Sequence, residues 1–92
     1  MSRLSGTEVV EFLWNPASIL DGDETATNVQ VPSALVGDFV LVSMGLDLQD
    51  MVMSGNVPTD GIVAVTLANN TGATINLGAG TLRVKVIPYD TI

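Results

Sequence analysis

Val63-Ala64-Val65-Thr66-Leu67 decides the fold of this chain. Large apolar side chains alternate with small or polar ones at a period of two. That is the spacing of a strand with one face in a core and the other towards solvent or a partner. β-Branched residues dominate, as a pleated surface favours. The same period returns on both sides of the stretch. Thr27, Val29 and Val31 alternate with Asn28 and Gln30, and Leu82, Val84 and Val86 alternate with Arg83, Lys85 and Ile87.

Working outward, strands are expected near 7–14, 25–31, 38–44, 50–54, 61–68, 73–77 and 81–88. Turn chemistry punctuates them: Asn15-Pro16, Asp21-Gly22-Asp23, Pro32-Ser33, Val36-Gly37, Pro58-Thr59-Asp60-Gly61, Asn69-Asn70-Thr71-Gly72 and Gly78-Ala79-Gly80. Segment 45–54 alternates weakly, and Gly45 to Met51 has room for one helical turn. Short strands joined at this spacing predict an all-β protein, an antiparallel β-sandwich of about seven to eight strands. Immunoglobulin-like and small jelly-roll topologies both fit. Val29, Leu41, Val65, Leu82 and Val84 are expected to share the core between the sheets. The 92 residues make one domain, with 1–13 read as an N-terminal contact arm.

Composition bears on function. Only 14% of the residues are charged, 47% are hydrophobic, and the mean hydropathy is +0.45. Typical soluble domains are about 25% charged, and small domains have the most surface to cover. No window supplies the roughly 18 consecutive apolar residues of a spanning helix. The remaining place for the apolar surplus is against other protein chains. Self-association as a homodimer or homotrimer follows as an expectation.

The chain has no cysteine and no histidine. Disulfides, thiolate metal sites and every Ser-His or Cys-His pair are excluded, so no enzymatic activity, catalytic metal or cofactor is expected. Ten acids against three bases give a net charge of −7, the wrong sign for nucleic acid or anionic lipid. The first residues, Met1-Ser2-Arg3-Leu4-Ser5-Gly6, lack the apolar core of a secretory leader, so no export is expected.

Individual residues carry weaker signals. Asp21-Gly22-Asp23-Glu24 crowds three carboxylates, but not at calcium-loop spacing, and reads as a solvated turn. Met44, Met51 and Met53 read as core filling. Asn69-Asn70-Thr71 is formally a glycosylation sequon but reads as a turn. Trp14 is either a plug for one end of the sandwich or an anchor for a subunit contact. Arg83 and Lys85 share the outward face of the last strand, where they either guard a sheet edge or pair with an acidic neighbour across an interface. Leu4, Phe12, Trp14, Arg83 and Lys85 are the candidate partner interface.

Several segments also read together as an ordered set. They are Trp14-Asn15-Pro16-Ala17-Ser18-Ile19, Asp21-Gly22, Val29-Gln30-Val31, Gly37-Asp38-Phe39-Val40-Leu41-Val42-Ser43 and Asp47-Leu48-Gln49. Val63-Ala64-Val65-Thr66-Leu67, Asn70-Thr71-Gly72, Ile75-Asn76-Leu77 and Gly80-Thr81-Leu82-Arg83-Val84-Lys85-Val86 complete it. This order, over residues 14–87, resembles the small capsid-associated structural proteins of tailed bacteriophages, of the head decoration or cement kind. The chain departs from that pattern at Asp50, where a glycine is expected after Asp-Leu-Gln, and in the apolar arm 9–14.

The resemblance implies a virion structural protein, made in the host cytoplasm and bound to the outer surface of the head. Its partners would be the major capsid protein and copies of itself. The alternative is an adhesion or receptor-binding sandwich module of a fibre or spike, recognisable by an exposed aromatic or polar pocket at a loop end.

Overall fold

A computed structural model describes residues 9–90. Six strands run through them: β1 (Val10–Trp14), β2 (Glu24–Gln30), β3 (Phe39–Met44), β4 (Val52–Thr59), β5 (Ile62–Ala68) and β6 (Gly80–Ile87). They form two antiparallel three-stranded sheets, ordered β1-β6-β3 and β2-β5-β4. The chain changes sheet at every connection except the β4–β5 hairpin, whose tight turn uses the left-handed backbone of Gly61, at φ 86°.

The alternation seen in the sequence becomes the core. Val63, Val65 and Leu67 of β5 face Leu82 and Val84 of β6 across the sandwich, and all five are essentially inaccessible. Val29, Val31, Met51, Val57, Trp14, Ile19 and Ala34 complete the buried cluster. Each such large side chain contributes roughly 1.5–3 kcal/mol by leaving water. Met44 and Met53 pack against the cluster that holds Met51, as gap-filling thioethers do.

Four expectations are corrected. The sandwich has six strands among the described residues, not seven to eight. Segment 73–77 is not a strand: Ile75 makes a single two-way bridge with Ile19, at 2.9 and 3.0 Å, and the ladder stops there. Leu41 is not in the core. Its register partner is Lys85, and it points outward at 57% exposure. The helical turn that 45–54 had room for is replaced by a bend and turn, with β4 running from Val52 to Thr59 beyond it.

The sheets approach most closely along β3 and β4, where Gly55 lies under Val40 and Val42. At the opposite side, β1 and β2 are the outer strands of their sheets, and among the described residues the sandwich is open there.

Loops at the Trp14 end are tied by one residue. Asn69 is fully buried. Its Nδ2 donates to the carbonyls of Ile19 and Ala73, both at 2.8 Å. Its Oδ1 accepts from the N–H of Thr71 at 3.0 Å and from the Thr71 hydroxyl at 2.8 Å. The side chain thus uses its full capacity of two donors and two acceptors. The formal sequon is therefore a structural clamp, with its amide nitrogen engaged twice.

Candidate interaction surface

Register fixes which side chains leave the β1-β6-β3 sheet on its outer face. Glu11 stands opposite Arg83, and Leu13 opposite Thr81. On the other flank Ser43 faces Arg83, Leu41 faces Lys85, and Phe39 faces Ile87. The outer face therefore carries a charged middle and two apolar ends. Leu13 is 76% exposed at one end, and Phe39 is 62% exposed beside Leu41 at the other. Val36 and Tyr89, also exposed, extend the second patch past the strand ends.

The segments around Phe39 are held in place by Asp38. This nearly buried carboxylate accepts from the N–H of Leu35 at 2.9 Å and from the N–H of Tyr89 at 3.1 Å. It thereby joins the turn before β3 to the chain after β6. Such local bonding is what short acidic side chains offer outside ladders.

The candidate interface residues separate. Leu4 lies outside the described residues. Arg83 Nε donates to Glu11 Oε2 at 3.1 Å, an exposed cross-strand pair worth at most about 1 kcal/mol. Lys85 sits on the same face, so the sheet brings both cations together. They do not guard an edge, because β6 is the central strand. Phe12 stands opposite Leu82, on the inward side of β1, yet remains 38% exposed, because the sandwich is open there. Trp14 is 9% exposed and belongs to the chain's own core. Of the two roles left open for it, this burial fits the plug.

The carboxylates of the first acidic cluster serve loop geometry. Asp21 Oδ1 accepts from the N–H of Gly72 at 3.0 Å, and Asp23 Oδ1 from the N–H of Glu24 at 2.9 Å. No three His, Cys, Asp or Glu side chains gather at metal-binding distance among the described residues.

Leu13, Phe39 and Leu41 are the surface residues that sequence reasoning missed. Phe39-Val40-Leu41-Val42 is apolar at every position, so alternation says nothing about which side is out. The signal that was available is the same run itself: a strand apolar on both faces needs cover on both.

Comparison with protein-family models, with curated proteins and with solved structures finds no match for this chain.

Proposed function

We propose that this chain is a virion structural protein that binds the outer surface of a phage head and cements it by non-covalent contacts. The observation that carries the reading is the outer face of the β1-β6-β3 sheet. Phe39 and Leu41 stand well exposed together at one end of that face, and Leu13 at the other, in a chain with few charges to offset them. Monomeric proteins rarely leave large contiguous apolar areas uncovered. The ordered segments of residues 14–87 support the phage reading, and the exposed sheet face supports a contact surface.

A cement protein needs a stiff, self-contained body and a sticky face, and no reaction centre. The adhesion alternative needs free recognition groups at a loop end. Asn69, Thr71, Asp21 and Asp23 are instead engaged in holding their own loops, which favours the cement reading. The finer topology belongs to the same proposal. Sheet orders β2-β5-β4 and β3-β6 follow the B-E-D and C-F arrangement of immunoglobulin-like sandwiches. Here β1 takes the place beside β6 that a following strand fills in those domains.

The test is co-sedimentation of the purified protein with heads of the encoding virus prepared without it. Saturable binding, lost at least tenfold in the Phe39→Ser/Leu41→Ser double variant with its thermal melt preserved, is the expected result. Heads that leave the parent protein in the supernatant overturn the reading.

A further inference from the structure

Among the described residues, the outer strand of the second sheet is unguarded. β2 pairs with β5 in unbroken register from Glu24 to Gln30, with no bulge. It contains no proline and no lysine or arginine, and its only charge is Glu24. The other edge of that sheet is different. β4 carries Pro58 and a register irregularity between Asn56 and Thr59, and it lies against β3 through Gly55. Natural edges are normally blunted by such devices, because an unpaired edge is a template for another strand.

The direction of each main-chain group on β2 follows from the ladder. Val31 N–H donates to Gly61 O at 3.0 Å, and Asn69 N–H donates to Asp23 O at 2.9 Å. Odd-numbered residues of this strand therefore bond to β5. By alternation, the N–H and C=O groups of Glu24, Ala26, Asn28 and Gln30 point out of the open side.

We propose that this edge pairs with the same edge of a second copy, antiparallel, about a two-fold axis at Thr27. The two sheets then merge into one of six strands, β4-β5-β2 continuing into β2-β5-β4 of the second copy. This register places Ala26 opposite Asn28 of the second copy and Glu24 opposite its Gln30, and the reciprocal pairs follow by symmetry. All the outward groups are used, in about eight main-chain hydrogen bonds.

The strand is complementary to itself in this register. Its carboxylate meets a neutral amide that can donate to it, and no like charges face each other. Thr27 meets Thr27 of the second copy in the closer, non-hydrogen-bonded kind of pair, the kind in which threonines interact well. Phe12 lies at the same open side of the sandwich, where a second copy would cover it. The dimer gives a form to the self-association expected from the composition, and it does not need a head to form. Its test therefore fails or succeeds separately from head binding.

The chain has no cysteine, so one introduced thiol reports on one position. At the proposed axis the two Cα atoms of residue 27 stand roughly 4.5 Å apart, within the disulfide range of about 4.4–6.8 Å. Thr27→Cys should oxidise to a covalent dimer at least about tenfold faster than Ala26→Cys or Asn28→Cys, whose symmetry mates are offset along the strand.

In sedimentation equilibrium of the isolated protein, the parent should be a dimer. Asn28→Pro removes one outward N–H per chain and leaves the β5 ladder intact, while Ala26→Lys/Asn28→Lys sets lysines directly opposite each other. Either change should raise the dimer Kd by roughly a hundredfold or more, with circular dichroism unchanged. A parent that is monomeric or trimeric overturns the proposal. So does a dimer that both variants leave intact, or one that cross-links through residue 26 or 28 in preference to residue 27.

Discussion

Gly55 and Val40 mark the closest approach of the two sheets: a Cβ on Gly55 would come within 2.8 Å of Val40 Cγ1 and 3.0 Å of Val42 Cγ1. The absence of a side chain at residue 55 is what lets β4 tuck under β3 and close that side of the sandwich.

Gly55→Ala is therefore expected to destabilise the protein by about 1–3 kcal/mol, the usual cost of overpacking a close contact. Combining it with Val40→Ala should recover part of the loss, because the first of the two clashes is removed. Urea denaturation of the two variants and the parent checks this. An alanine at residue 55 with an unchanged midpoint would mean that the sheets slide apart at no cost.

Gln49 and Asp50 both adopt positive φ, 53° and 70°, just before Met51 turns into the core. A side chain in that region costs roughly 1–2 kcal/mol relative to glycine. Asp50→Gly should raise stability by up to about 1 kcal/mol, part of the gain being offset by the extra freedom of glycine in the unfolded chain. The expected signature is a higher urea midpoint at constant slope.

Asn69→Ala should cost about 1–3 kcal/mol, because it removes four hydrogen bonds and leaves the N–H of Thr71 without its acceptor, while the carbonyls of Ile19 and Ala73 keep Ile75 N–H and the Thr71 hydroxyl. Asn69→Asp should be no better, since it turns a carboxylate oxygen towards those two carbonyls. Thermal unfolding of both variants decides it. A melt within a few degrees of the parent for Asn69→Ala would show that water replaces the clamp.

Trp14→Ala should unfold the domain more easily, by about 3–5 kcal/mol, as removal of a buried tryptophan generally does. A variant with the parent's melting temperature would return Trp14 to the role of a subunit anchor.

Legibility in the sequence followed the strength of alternation. The central strands β5 and β6 each bury one face and offer partly polar residues on the other, so Val63, Val65, Leu67, Leu82 and Val84 declare themselves. β4 is expected only over 50–54, where alternation is weak and Pro58-Thr59-Asp60-Gly61 reads as a turn, yet it runs on through Gly55, Asn56 and Pro58. They are tolerated since β4 is an outer strand, with its irregularity at Pro58. Ile75 and Leu77 look like strand residues because both pack on the core, yet Ile75 pairs only once, with Ile19. The exposed patch was hidden for the opposite reason: in 39–42 every residue is apolar, and only pairing with β6 says that Leu41 shares a side with Lys85.

The place of β6 between β1 and β3 has a consequence for how the chain comes into being. β1 and β3 do not pair with one another, so half of the sandwich has no ladder at all until residues 80–87 exist. A nascent chain halted before that point can assemble β2, β4 and β5, while the first strand made waits for the last. Completion of this sheet is thus an event that follows synthesis of almost the entire domain. A ribosome-stalled product ending at residue 79 would present the inward side chains Trp14, Val40 and Val42, which the finished fold packs in or against its core, to the chaperones of the cell.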